Sequence, residues 1–297
     1  MNLKGIFQDK SSSYKLFIFI CIVFLSSFLG VLLSSIISPP ESEMYKPSNV
    51  FTLKMMQLIV SVFIFIIPPL FFSYLSRVNT INIFGFKNKF KRQNLLLVFL
   101  IMIFIQPFVV YCMQINTKLL YLVSDYIPLI IQNLENMEQR ALELTTLFLT
   151  MNSASDLFFN LFLIALIPAF GEELFFRGVV QQYLQKILKN PHLGVCLTAC
   201  VFSAIHMQFF GFLPRFLLGL ILGYLFFYSG NLWMSVLGHF INNALGVLLS
   251  YSAFANKLTP DITNIEKTGI NLSQAFFSVA VVLLFFYLYK QINNNVN

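Results

Sequence analysis

The sequence predicts an all-α, polytopic membrane protein, a helix bundle with about eight transmembrane helices. Of its 297 residues, 58% are hydrophobic and only 10% are charged, whereas soluble domains carry about 25% charged residues. The apolar residues fall in long runs, and a helix of roughly 20 apolar residues is enough to cross a bilayer. The net charge is +7, but the basic residues are scattered over short loops, so we expect no nucleic-acid partner.

Three predicted spans lie in the N-terminal half of the chain. Residues 16–37 form an unbroken apolar run that exceeds a signal-peptide core and lacks a cleavage-site pattern, which indicates a retained helix. The second span, residues 51–75, contains Pro68 and Pro69, which predict a kink. The third span covers residues 94–123 and follows a basic loop.

The next segment, residues 126–156, mixes acidic and apolar residues. Its apolar residues recur at steps of three and four, which is the period of an amphipathic helix. They are Ile130, Leu134, Met137, Ala141, Leu144 and Phe148. We expect this outer-loop helix to lie at the membrane interface or to fold over the bundle. Together with the first three spans it makes up a predicted N-terminal unit, residues 1–156.

Residues 157–297 form the second predicted unit, a membrane core with five further spans. These spans cover residues 157–186, 193–210, 216–228, 232–255 and 272–289. The third of them contains Gly219 and Gly223, a GxxxG spacing that permits close helix packing. All four cysteines lie in apolar runs, which predicts small buried residues rather than disulfides or a zinc finger. They are Cys21, Cys112, Cys196 and Cys200.

The distribution of charge predicts the orientation of the bundle. With the N-terminus in the cytoplasm, most Lys and Arg residues fall in inner segments and most Asp and Glu residues in outer ones. This asymmetry satisfies the positive-inside rule with both termini in the cytoplasm. We therefore expect a multi-pass protein of the bacterial inner membrane, in contact with membrane lipid.

Polar residues inside the last five spans are the candidates for a functional site. A charge at the centre of a membrane helix costs roughly 2.5–3.5 kcal/mol on insertion scales, so such residues usually face the protein interior and mark function. The conspicuous ones are Glu172, Glu173, Arg177, His206, His239, Asn242 and Asn243. Any one of them is explained as well by an interhelical hydrogen bond, but the whole set on three spans favours a site.

Helix geometry separates the two adjacent carboxylates. Glu173 and Arg177 are four residues apart, share a face and can form an ion pair. Glu172 points about 100° away from Glu173, which leaves its carboxylate free to react. His239 and Asn243 have the same four-residue spacing and also share a face.

Phe202 and His206 repeat this spacing, so the aromatic ring is expected to wall one side of the imidazole. A carboxylate, two imidazoles and a carboxamide suit the activation of water and the stabilisation of an oxyanion. The set also matches a catalytic zinc site with Glu172, His206 and His239 as ligands, although no HExxH motif is present. No serine lies in a GxSxG context, so a covalent nucleophile is not expected.

Three motifs in this order resemble those of the CPBP family, the CAAX protease and bacteriocin-processing (Abi) intramembrane proteases. The type II CAAX prenyl endopeptidases belong to this group. The motifs are Glu172-Glu173-x-x-x-Arg177, Phe202-x-x-x-His206 and His239-x-x-x-Asn243. The resemblance covers roughly residues 158–250, and the first 150 residues carry no motif of the family.

The resemblance implies an eight-helix bundle that hydrolyses a peptide bond within or beside the membrane. It implies that Glu172 with His206 activates the water, and that His239 and Asn243 stabilise the oxyanion. It also implies that the Glu173–Arg177 pair holds the motif helix in place. The glutamate-dependent mechanism needs no cofactor, and zinc is the alternative.

The sequence thus predicts an intramembrane endopeptidase that acts on a peptide or membrane-protein substrate. The identity of the substrate and the oligomeric state stay open. Two other functions compete with this hypothesis. One is a non-proteolytic immunity or scaffold protein, in which the polar residues only hold helices together. The other is a proton-coupled transporter, which is disfavoured because the chain shows no paired broken helices from repeated halves.

Overall fold

The computed structural model describes residues 3–44, 46–76, 85, 90–255 and 269–294. Its regular elements are helices, with no strand in these ranges, so the predicted all-α fold class is confirmed. Within this part of the chain, seven helices are long and apolar enough to cross a membrane, which makes the protein an integral, multi-pass one. They are α1 (Ser12–Ile36), α2 (Pro47–Leu75), α3 (Arg92–Leu122), α5 (Ala154–Leu188), α7 (Phe209–Ser229), α8 (Leu232–Ala253) and α9 (Leu272–Asn293).

The amphipathic helix is α4, which covers Pro128–Leu149 and is shorter than predicted. It ends before Ser153, whose side-chain oxygen accepts a hydrogen bond from the Asp156 backbone N–H and caps the start of α5. The predicted division between residues 156 and 157 therefore falls inside α5. Ile131 and Phe148 of α4 are buried, so this helix packs on the bundle along one face.

The remaining helix, α6, covers Pro191–Ala204, so the prediction of a span over residues 193–210 is wrong at its C-terminal end. The chain turns away at Met207, whose φ of 55° a continuing helix does not allow. The helix has 14 residues and is about 21 Å long, less than the roughly 30 Å of a hydrocarbon core. His206 therefore lies on the turn after α6 rather than on a membrane span.

Prolines coincide with irregular turns inside the long helices. The irregularity predicted in α2 is a π-helical turn at Val62–Ile66, just before Pro68. A second π-helical turn, Leu161–Leu166, precedes Pro168 in α5. Proline has no N–H to donate to the preceding turn, so these segments release backbone carbonyls. One of them becomes part of the site described below.

Helices α6 and α7 approach each other closely at the predicted GxxxG motif. A Cβ atom on Gly219 would lie 3.0 Å from the Ala199 backbone, which leaves no room for a side chain. The carbonyl of Gly219 accepts a hydrogen bond from Arg177 (2.9 Å), and the carbonyl of Gly223 accepts one from Gln181 (3.1 Å). The two glycines thus allow both helix packing and access of α5 side chains to the backbone of α7.

Substitution of Gly219 by alanine is expected to destabilise the protein by about 1–3 kcal/mol, because the Ala199 backbone cannot move aside locally. Gly246→Ala is the matched control, since nothing lies within 4 Å of a Cβ atom placed there. The measurement is the unfolding free energy of both variants in the same detergent. Equal stability of the two variants would contradict the close packing of α6 and α7.

The four cysteines are unpaired, as predicted, but they are not buried within the protein. Cys196 and Cys200 are exposed on α6, and Cys21 and Cys112 are half-buried. The prediction of burial was wrong because a membrane protein can place small apolar residues against lipid as well as in its core.

Candidate active site

The four predicted catalytic residues meet at one polar cavity of about 140 Å³. They come from α5, from the turn after α6 and from α8, and α7 supplies the remaining wall. The lining residues are Glu172, Phe202, His206, Arg215, Leu218, Leu222, His239, Asn242 and Asn243. If the three sequence motifs form one active site, their helical segments must meet, and they do so at this cavity.

A larger groove of about 410 Å³ lies elsewhere on the bundle. Different residues of α7 line it, among them Leu217 and Ile221, together with residues of α3 and α9. Its walls are mostly apolar, and no carboxylate is among its lining residues. The groove offers His192 as a proton acceptor but no carboxylate beside it, whereas the smaller polar cavity combines a carboxylate with two imidazoles, which makes it the better candidate for hydrolysis.

Glu173 joins two residues of the site rather than one. Its Oε1 atom accepts a hydrogen bond from Arg177 Nη1 (2.8 Å) and another from His239 Nδ1 (2.9 Å). The side chains of Glu173 and Arg177 are fully buried, and His239 is 5% exposed. Since a carboxylate only accepts, His239 carries a proton on Nδ1 and turns its Nε2 atom toward Glu172. The predicted ion pair is present, and it also orients an imidazole.

Arg177 has further partners that hold it inside the bundle. Its Nη2 atom donates to the Gly219 carbonyl, and its guanidinium carbon lies 5.0 Å from the centre of the Phe202 ring. Phe202 itself packs edge-on against His206, with ring centres 5.0 Å apart, and lies 6.0 Å from His239. The aromatic ring thus packs beside the buried cation and beside both imidazoles.

Glu172 is buried and has one carboxylate oxygen without a hydrogen-bond donor among the described residues. This atom, Oε2, lies 3.9 Å from His239 Nε2, which is longer than a hydrogen bond. A buried carboxylate oxygen that no protein donor satisfies is costly unless water or a ligand reaches it. The free oxygen at the cavity is consistent with a place for water.

His206 is held by the turn that follows α6. Its Nδ1 atom donates to the Phe202 carbonyl at 2.8 Å, so the neutral ring leaves Nε2 free to accept a proton. Burial lowers the pKa of His206, and the negative charge of Glu172 opposes this shift. Met207, next to it, has the left-handed backbone that redirects the chain and so sets the position of the ring.

Asn243 extends the site toward the irregular turn of α5. Its Nδ2 atom lies 3.4 Å from the carbonyl oxygen of Ile164, within the π-helical turn before Pro168. Asn242 donates to Asn243 Oδ1 at 3.3 Å. The amide of Asn243 is thus held between α5 and α8 at the edge of the cavity.

Residues 154–245 match the family model described as type II CAAX prenyl endopeptidase Rce1-like. The predicted family resemblance is confirmed. This Rce1-like segment contains all four predicted catalytic residues, and the family supports intramembrane protease activity in general.

One relative of the Rce1-like segment is the uncharacterized protein YpbD of Bacillus subtilis. The two chains are 28% identical over 90 residues, which is 29% of this chain and 43% of YpbD. The aligned part thus spans less than half of either protein. No solved structure matches the chain.

Two residues at the site were not predicted from the sequence. Arg215 belongs to the Rce1-like segment and lines the cavity, but it lies just before the predicted span over residues 216–228 and so outside the spans whose polar residues were the candidates. Gln106 lies outside the segment, on α3, and donates from Nε2 to Asn242 Oδ1 at 3.3 Å. The available signal was a glutamine inside an apolar run, directly before Pro107.

Zinc stays the alternative to the metal-free prediction. Among the described residues, no group of three or more His, Cys, Asp or Glu side chains is placed to hold a metal ion. His239 Nδ1 is bonded to Glu173, an orientation that zinc-ligating histidines also show, and its Nε2 lies 3.9 Å from Glu172 Oε2. The mechanism below uses no step through a metal, and its test includes a chelator.

Proposed function

We propose that this protein is an intramembrane endopeptidase in which Glu172 and His206 activate water for attack on a peptide bond. The observation that carries the proposal is the meeting of Glu172, His206, His239 and Asn243 at one polar cavity in the Rce1-like segment. The substrate is a peptide or a membrane protein that reaches this cavity.

Water activation is assigned to the two groups with a free acceptor atom. Glu172 Oε2 has no described donor, and His206 has a free Nε2. A water between them passes a proton to Glu172, while its oxygen forms a bond to the carbonyl carbon of the peptide. When the C–N bond breaks, the same proton goes to the departing nitrogen, so that the carboxylate is regenerated.

Stabilisation of the tetrahedral intermediate is assigned to His239 and Asn243. With Nδ1–H bonded to Glu173, a protonated His239 has a second N–H at Nε2 that can donate to the oxyanion. The Asn243 amide donates from the neighbouring turn of the same helix, α8. Glu173 and Arg177 act as positioning residues, because they fix the ring of His239 and do not line the cavity.

The proposal is tested with purified protein and a labelled peptide library. Wild type is compared with Glu172→Gln, Glu172→Ala, His206→Ala and His239→Ala, with a thermal-unfolding check of each variant. We expect that the wild type cleaves some peptides of the library and that none of the four variants cleaves them. If the wild type cleaves no peptide, the protein belongs to the non-proteolytic or transporter class instead, and equal cleavage by wild type and Glu172→Gln would remove Glu172 from the mechanism.

A chelator is expected to change the cleavage rate by less than about twofold, because the proposed chemistry needs no Lewis acid. The measurement is the rate of wild type after incubation with 1,10-phenanthroline, followed by addition of zinc. Activity that is lost to the chelator and restored by zinc would contradict the metal-free mechanism and favour Glu172, His206 and His239 as ligands.

We also propose that the protein resides in the bacterial inner membrane with its N-terminus in the cytoplasm. The seven long helices by themselves place the C-terminus on the other side, whereas the predicted cytoplasmic C-terminus needs α6 as an eighth crossing. The excess of Lys and Arg in the predicted inner segments supports this orientation. The similarity to a Bacillus subtilis protein supports a bacterial setting. Cysteine labelling from each side of the membrane, with cysteines placed at the two termini, measures the orientation.

A further inference from the structure

A guanidinium lies in the candidate active site and has no place in the mechanism proposed above. Arg215 lines the same cavity as Glu172, His206 and His239. Its position is costly in two ways. It stands in the first turn of the α-helical part of α7, Phe212–Ser229, where the helix dipole opposes a cation. It also belongs to a helix that can cross the membrane, where charges are expensive.

The atoms that bond directly to the Arg215 guanidinium hold it in place, and none of these partners is a carboxylate. Its Nη1 atom donates to the Gln208 backbone carbonyl (2.9 Å), and its Nη2 atom donates to Gln208 Oε1 (2.6 Å). Both acceptors are uncharged. Two carboxylates act on the guanidinium through their charge: Glu138, to which Gln208 Nε2 also donates (3.3 Å), and Glu172, which lines the same cavity. Gly211 lies against the guanidinium, and a side chain at Gly211 would collide with it.

Arg177, the other arginine near the site, has a different environment. Arg177 is bonded to Glu173 at 2.8 Å, and it does not line the cavity. Arg215 has a fixed direction, hydrogen-bonding capacity beyond its two bonds to Gln208, and a charge that faces the cavity. A planar guanidinium of this kind matches a carboxylate, which it can bind through two parallel hydrogen bonds.

We propose that Arg215 is the subsite for a carboxylate of the substrate and thereby selects which peptides are cleaved. This inference rests on the proposed function, which it deepens by naming a substrate class. The carboxylate comes either from the C-terminus of the substrate or from an Asp or Glu side chain near the cleaved bond. Arg215 forms no bond to the reacting atoms, so it is a specificity-determining and positioning residue.

The test measures peptide binding separately from cleavage. A panel of fluorescent apolar peptides is made in matched pairs, as C-terminal acid and C-terminal amide, and with Glu or Gln at single internal positions. Binding is measured in nanodiscs with the full-length Glu172→Gln protein, which prevents turnover. We expect the carboxylate member of a pair to bind at least about tenfold more tightly. The pairs that show the preference identify the source of the carboxylate.

Three further substitutions in the Glu172→Gln protein test whether Arg215 is the residue that causes the preference for carboxylate peptides. Arg215→Gln is expected to abolish it by weakening only the carboxylate peptides. Gln208→Ala keeps the guanidinium while removing one of its acceptors, so the preference should persist. Lys290→Gln removes the same charge from the separate apolar groove and should also leave the preference intact.

Two results would overturn the inference. One is the absence of any carboxylate preference. The other is a loss of affinity in Arg215→Gln that is equal for both members of each pair, which would mean that Arg215 only stabilises the turn that carries His206.

Cleavage is measured separately, with the Arg215→Gln substitution in a protein that retains Glu172. It should raise KM for carboxylate peptides and leave kcat largely unchanged. If wild type cleaves no peptide, the proposed function fails, while the binding result still decides the subsite.

Discussion

Replacement of Glu172 by glutamine is expected to lower kcat by about 10²- to 10⁴-fold, the range that general-base catalysis contributes. Glutamine has the same shape as glutamate but cannot accept the proton of the attacking water. The carboxylate oxygen at the cavity has no described hydrogen-bond donor, so the substitution breaks no such bond there. Loss of activity without loss of stability would therefore assign a chemical role to this side chain.

The control for Glu172 is the same substitution at Glu143, an exposed residue of α4. Glu143→Gln should leave both the rate and the thermal unfolding temperature close to those of wild type. The measurement is the single-turnover rate on the best peptide of the library. A Glu172→Gln protein that cleaves at a rate near that of wild type would show that this carboxylate is not the base.

Arg177→Met is expected to be the most destabilising single substitution in the site, with a cost of about 3–5 kcal/mol in unfolding free energy. Breaking a buried ion pair by removing one partner leaves the other charge without compensation, and this is the usual size of the effect. Here the carboxylate left behind is Glu173, which is fully buried and retains only its bond to His239. The variant also loses the hydrogen bond to Gly219.

A double substitution separates the charge effect from the packing effect. Glu173→Gln combined with Arg177→Met removes both charges and should recover part of the lost stability. Arg140→Met, on the exposed face of α4, is the matched control and should change the unfolding free energy by less than about 0.5 kcal/mol. Unfolding is followed in mixed detergent micelles. If the double variant is no more stable than Arg177→Met, the cost is one of packing rather than of an unpaired charge.

The two predictions concern adjacent carboxylates of α5, Glu172 and the Glu173 that Arg177→Met leaves unpaired, and the difference between them shows how the site is organised. Glu172 faces the cavity, where a free oxygen costs stability but is available for chemistry. Glu173 faces the bundle, where Arg177 and His239 share one of its oxygens. The same residue type thus has two roles because successive residues on a helix point about 100° apart.

Several features of this protein follow from the sequence by itself. The membrane class follows from apolar composition and run length, because the transfer of a helix into lipid depends on its own side chains. The Glu173–Arg177 pair follows from the four-residue spacing within one helix. The order of the three motifs was enough to predict the family resemblance, which the match over residues 154–245 confirms for that segment.

The tertiary structure alone decided which residues share the cavity and how each is held. Glu173 binds His239, and Gln106 reaches Asn242, across gaps of 66 and 136 residues. His206 takes its position from the turn after α6, although its sequence context is that of a span. Helix periodicity describes one helix at a time, whereas these contacts depend on the distance and rotation between helices. The meeting of the three motifs was predicted, but for that reason the hydrogen bond between Glu173 and His239 and the charge of Arg215 beside Glu172 became visible only in three dimensions.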